Sequence, residues 1–96
     1  MLHAVPIRLV LGEDNYLVRE GLRLVIAGAP QLELVAECGD ADALLREIEE
    51  LQPDVVLTDI RMPPTQTDEG IRLAAHLRIA HPRIGVVVLS QYADPG

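Results

Sequence analysis

Glu13, Asp14 and Asp59 are the residues whose types and spacing could do chemistry. Each stands where a short apolar run gives out: Gly12-Glu13-Asp14 follows Ile7-Arg8-Leu9-Val10-Leu11, and Asp59 closes Val55-Val56-Leu57-Thr58. If those runs are neighbouring strands, their carboxylates converge, and like charges within a few ångströms are costly unless a proton or a cation intervenes. Oxygen-only ligands completed by water suit Mg²⁺ or Mn²⁺ rather than Zn²⁺. Ser90 follows a further apolar run, Ile84 to Leu89, and a hydroxyl on the same rim could donate a hydrogen bond to an anion bound beside the metal.

To bring these groups together the chain must alternate strands with helices, and its punctuation does so. After the first strand, Val18, Leu22, Val25 and Ile26 fall at i, i+4, i+7 and i+8, the apolar face of a helix that Gly28 and Pro30 end. Leu32 to Ala36 is a second strand. Asp40 can cap a helix whose face is Ala41, Leu44, Leu45, Ile48 and Leu51, with Glu47, Glu49 and Glu50 on the solvated side, and Pro53 stops it. The third strand ends at Asp59-Ile60, a Pro63-Pro64 loop follows, and Thr67-Asp68-Glu69 offers a cap and first-turn acids for a helix from Gly70 to Ala80. His81-Pro82 leads to the fourth strand, Ile84 to Leu89. The order β-α-β-α-β-α-β implies a parallel sheet with right-handed crossovers and helices on both faces. In such folds the functional crevice lies beyond the carboxyl ends of the strands.

Composition narrows the chemistry. With neither Phe nor Trp and with two Tyr, the core must be aliphatic, and nothing is built to stack on bases. All eight basic residues are Arg, set against 15 acids for a net charge of −7, so direct nucleic-acid contact is not expected and a cation or a basic partner is. Cys38 has no partner for an internal disulfide and reads as small apolar filling in a reducing compartment. No run approaches membrane-spanning length and the first fifteen residues do not suit a signal peptide, so a cytoplasmic location is expected. His76 and His81 have poor metal spacing and read as solvent-facing.

The sequence resembles the receiver domains of bacterial two-component response regulators. The acidic pair Glu13-Asp14, the string Asp59-Ile60-Arg61-Met62-Pro63, Glu69-Gly70-Ile71 and Leu89-Ser90 occur in that family's order and spacing, over nearly the whole chain. The details are most similar to the branch that precedes a LuxR-type helix-turn-helix domain. The resemblance implies an α/β fold, a doubly wound parallel sheet of the flavodoxin-like receiver type, here of four strands in the order 2-1-3-4 with three helices. It implies that Asp59 takes a phosphoryl group from a sensor histidine kinase or a small phosphodonor. Glu13, Asp14, Asp59 and the backbone carbonyl of Arg61 would hold Mg²⁺, or Mn²⁺ in its place. Ser90 would be the hydroxyl that senses the phosphoryl group, and Arg61 and Tyr92 the rim positions that tune its lifetime. The chain would be a signalling phosphoacceptor controlling an absent DNA-binding output domain, with no enzymatic activity beyond its own phosphorylation and dephosphorylation.

Two departures stand out. The loop between Met62-Pro63 and Glu69-Gly70 is longer than in most members, with a second proline and Thr65-Gln66-Thr67. The family continues through another helix, a lysine-bearing fifth strand and a last helix, whereas this chain has no lysine and ends in the loop after Ser90, so residues 1–96 read as a C-terminally truncated receiver. Three other classes compete. An aspartate-nucleophile phosphohydrolase needs a second Asp where Arg61 stands. A nucleotide-binding module needs a Gly-rich turn where Gly12-Glu13-Asp14 stands. A phosphorylation-independent interaction or oligomerisation module, a truncated pseudo-receiver, is the alternative that remains. With the fourth strand as an uncharged edge, a homodimer or swapped oligomer through that strand is expected.

Overall fold

A computed structural model of the chain describes residues 5–89. Its strands are β1 (Ile7–Gly12), β2 (Leu32–Cys38), β3 (Val55–Asp59) and β4 (Gly85–Leu89), and its helices α1 (Tyr16–Ala27), α2 (Ala41–Leu51) and α3 (Glu69–Ala80). All strand pairs are parallel and the order is β2-β1-β3-β4, so β1 and β3, which carry the acidic ends, are neighbours in the middle. Both the alternation and the order agree with the sequence reading. A register shift in the β1–β2 pair between Leu9 and Val10 sets Val10 opposite Ala36.

Successive strand residues point to opposite faces. Val10 and Val56, paired in register, pack with Leu44 and Ile48 of α2 and Leu73 and Leu77 of α3 to form the main core, which Cys38 and Met62 complete. Cys38 is thus the apolar filling expected of it. Leu9 and Leu11 face the other way and are buried, as is Ile26 of α1. Among the described residues no helix is long and apolar enough to cross a membrane.

The helix ends show local chemistry at work. Asp40 caps α2 as expected, accepting from the Ala43 amide at 2.8 Å. Asn15 caps α1, accepting from the Val18 amide at 3.1 Å. Asp68 precedes α3 but makes no capping bond, contrary to the expectation. Its carboxylate is taken instead by the Thr67 hydroxyl at 3.1 Å and Arg72 Nε at 3.0 Å. Val25 also departs from expectation: it is 72% exposed, because α1 packs against β2 and buries only the Ile26 side of its stripe. His81 is half-buried rather than solvent-facing, its Nε2 2.9 Å from Glu49 Oε2, while His76 is exposed.

Candidate metal centre

Gly12 is the last residue of β1, and its missing side chain lets α2 close over the strand end. A Cβ there would lie 2.4 Å from Leu44 Cδ2 and 3.0 Å from Thr58 Oγ1. The chain therefore leaves the sheet at one fixed point, and Glu13 follows with its amide donating to the Cys38 carbonyl at 2.9 Å. Arg19 of α1 donates to the Glu13 carbonyl at 2.7 Å, and the Asn15 amide donates to Glu13 Oε1 at 3.0 Å. Glu13 is 1% exposed, whereas Asp14 beside it faces solvent. Because Asn15 is the helix cap, the acidic pair is not spent on capping.

From the adjacent strand, Asp59 stands at 9% exposure with Oδ1 accepting from the Ile60 amide at 2.8 Å. One carboxylate oxygen from each of Glu13, Asp14 and Asp59 falls in a group whose members all lie within 4.8 Å of one another. The convergence expected from sequence is thus present. Three hard anionic oxygens at that spacing, from one buried, one exposed and one nearly buried residue, fit a divalent cation of the Mg²⁺ type that keeps several waters. With no His or Cys in the group, they do not make a usual zinc site, which is built mainly on nitrogen and sulfur ligands.

The β3–α3 loop forms the rim. Met62 is fully buried and pins its start into the core, with Thr58 Oγ1 3.9 Å from its sulfur. The Ala41 amide of α2 donates to the Pro63 carbonyl at 3.1 Å, and the Pro63-Pro64 peptide is cis. Glu69, 4% exposed, gathers the rest: it accepts from the Thr65 amide at 2.6 Å, the Thr65 hydroxyl and the Thr67 amide at 3.1 Å. Burial pushes this carboxyl up, but those hydrogen bonds outweigh it and hold the pKa down at about 2. Between the two threonines, Gln66 adopts φ 60° and its Nε2 donates to Asp14 Oδ2 at 2.8 Å.

Arg61 is exposed, two residues past Asp59. Ser90 and Tyr92 lie outside the described residues, although Leu89 pairs with Asp59 in the β3–β4 register and its carbonyl accepts from the Ile60 amide at 3.3 Å. In the sequence the Thr65-Gln66-Thr67 stretch stands out only as part of an unusually long loop beside Asp59. Its one available signal was a carboxamide between two hydroxyls, beside a loop already adjacent to the acids.

A family model described as the response regulator receiver domain matches residues 9–96. The uncharacterized transcriptional regulatory protein YhcZ of Bacillus subtilis is 34% identical over 87 residues, 91% of this chain and 39% of its own length. The transcriptional regulatory protein DegU of Brevibacillus brevis is 34% identical over 88 residues, 92% of this chain and 36% of its own. The solved signal receiver domain of the response regulator NarL from Mycobacterium tuberculosis superposes with a TM-score of 0.82 at 32% identity, covering 96% of this chain and 72% of that one. The chain belongs to the response regulator receiver domains, the class expected from the sequence; YhcZ and DegU are transcriptional regulatory proteins, while another relative, 36% identical over 93 residues, is a protein-glutamate methylesterase/protein-glutamine glutaminase of Anaeromyxobacter dehalogenans. The chain spans about two fifths of the length of YhcZ and DegU.

Proposed function

We propose that Asp59 accepts a phosphoryl group from a sensor histidine kinase or a small phosphodonor, with Mg²⁺ (or Mn²⁺) held by Glu13, Asp14, Asp59 and the Arg61 backbone carbonyl. The acyl phosphate then controls a transcriptional output, the DNA contact being made outside this chain. The observation that carries this reading is the gathering of three carboxylate oxygens within 4.8 Å at the ends of two adjacent strands. That arrangement favours a phosphorylated switch over a phosphorylation-independent module, because assembling like charges has no structural benefit of its own.

In the transfer, an Asp59 carboxylate oxygen attacks phosphorus, the bond from phosphorus to the donor's nitrogen or oxygen breaks, and the donor leaves with its electron pair. A divalent cation held by Glu13, Asp14 and Asp59 would supply the positive charge that offsets the phosphoryl oxygens during transfer. The protein's own part is positioning. The Ile60 amide fixes the rotation of Asp59 through Oδ1, and the Asn15 amide and Arg19 fix Glu13. Ser90, next in sequence to the strand residue paired with Asp59, is the hydroxyl proposed to meet the phosphoryl group, and Arg61 and Tyr92 are the proposed rate-tuning rim. The reading includes a cytoplasmic location and no enzymatic output from this chain.

Acetyl phosphate with Mg²⁺ should add one phosphoryl group to the intact chain by mass spectrometry, and Asp59→Asn should abolish the gain. No uptake under saturating Mg²⁺ would overturn the reading.

We also propose that two chains associate through β4. Among the described residues β4 pairs only with β3, it carries no charge from Gly85 to Leu89, and Val87 is 48% exposed. An uncharged strand edge of this kind is one that proteins usually cover. Sedimentation should show mass rising with concentration, and Val87→Glu should suppress it. A monomer at every concentration would contradict the proposal.

A further inference from the structure

The three carboxylates are not held alike. Glu13 is buried and accepts from the Asn15 amide two residues on, and Asp59 accepts from the Ile60 amide that follows it, so both are reached by local backbone. Asp14 is exposed, and the side chain that reaches it is Gln66, 52 positions away on the β3–α3 loop.

That loop is built to deliver Gln66. Its amide donates to the Met62 carbonyl at 2.9 Å, closing a turn on a residue fixed in the core. The residues on either side, Thr65 and Thr67, both donate to the buried carboxylate of Glu69. With both neighbours anchored, the left-handed φ of 60° at Gln66 completes a turn from which the carboxamide reaches Asp14. A non-glycine residue in that conformation is uncommon, and the surrounding hydrogen bonds hold it there.

We infer that Gln66 is a positioning residue for the cation site, holding Asp14 in place toward Glu13 and Asp59. The inference rests on reading these carboxylates as a Mg²⁺ site. A carboxamide is neutral, so it cannot replace the cation. A carboxylate has about four lone-pair directions, so Asp14 can accept from Gln66 at Oδ2 and still serve as a metal ligand. Without Gln66 the exposed side chain of Asp14 swings away from two like charges and must be brought back when the cation arrives. Hydrogen bonds to ligating carboxylates of this kind typically change metal affinity by about tenfold or more when removed.

The test is a Mg²⁺ titration of the full chain, followed by amide chemical shifts, for wild type, Gln66→Gly, Gln66→Asn, Asp14→Ala and the double variant Asp14→Ala/Gln66→Gly. Gly and Asn both tolerate φ 60° and keep the turn, while Gly has no side-chain carboxamide and Asn falls one methylene short. Both single Gln66 variants should raise the Mg²⁺ dissociation constant about tenfold. The amide signals of α3 over residues 71–80 should stay in place, and Gln66→Gly should have no further effect once Asp14 is Ala. Wild-type or tighter Mg²⁺ affinity in both Gln66 variants, with Asp14→Ala still impaired, would overturn the inference alone. A wild type that binds no Mg²⁺, or an Asp14→Ala chain that binds it normally, would overturn the metal reading and this inference with it.

Discussion

Gly70 packs without clearance against the backbone of Asp59: a Cβ at position 70 would lie 2.0 Å from the Asp59 carbonyl oxygen and 3.0 Å from Ile60 Cα. The Gly70 amide donates to the Ile60 carbonyl at 2.8 Å, so the first turn of α3 is fastened to the strand end that carries the candidate acceptor. Gly70 has no positive φ, and its requirement is for space. Gly70→Ala should cost about 1–3 kcal/mol in urea unfolding, as overpacking against rigid backbone does. It should also weaken Mg²⁺ binding by displacing Asp59. Wild-type stability and affinity in this variant would show that the helix can move away from the site.

Glu69 should give the chain an acid-dependent component of stability. Its folded pKa of about 2 lies below the ordinary 4.5, so its contribution is full above about pH 4.5 and is lost as pH falls toward 2. The stability gap between wild type and Glu69→Gln should therefore be widest near neutrality and close across that window, as followed by denaturant melts at stepped pH. A gap independent of pH would contradict the hydrogen-bonded carboxylate.

Cys38 should be unreactive in the folded chain. Burial first, then the charges of Glu47 and Asp40, push its thiol up to about 11 from 9.0. At pH 8 a disulfide reagent should label it only as fast as the chain opens, and at once in denaturant. The folded state favours the neutral thiol, so this contribution to stability is present below about pH 9 and fades as pH rises to 11. Rapid native labelling at pH 8 would contradict it.

Met62 ties the rim loop to the core. Met62→Ala removes a fully buried side chain and should cost about 2–5 kcal/mol by thermal or urea unfolding. Because the Gln66 amide bonds the Met62 carbonyl, amide exchange at Gln66 should quicken more than exchange in β2. A loss of stability with no change at Gln66 would separate the loop from the core.

The alternation of strands and helices and the placing of Glu13, Asp14 and Asp59 at strand ends were legible because they depend on local signals, apolar runs and their punctuation, whereas the strand order that brings the three together followed from the family resemblance. Asp40 was legible as a cap from local signals too. Val25 was not, since periodicity shows which residues share a helix face but not whether anything covers it. The pairing of His81 with Glu49 and the diversion of Asp68 to Thr67 and Arg72 depend on which of several partners wins in the folded chain. Gln66 and Asp14 are 52 residues apart, and only the folded loop joins them.

The central claim is that Asp59 is a phosphoacceptor served by a cation. Its most direct test is to incubate the chain with acetyl phosphate, with and without Mg²⁺, and to locate the added group by peptide mapping after borohydride reduction of the acyl phosphate. The account predicts modification at Asp59, dependent on Mg²⁺ and lost when Asp14 is replaced by Ala. Modification elsewhere, or none at saturating Mg²⁺, would contradict it.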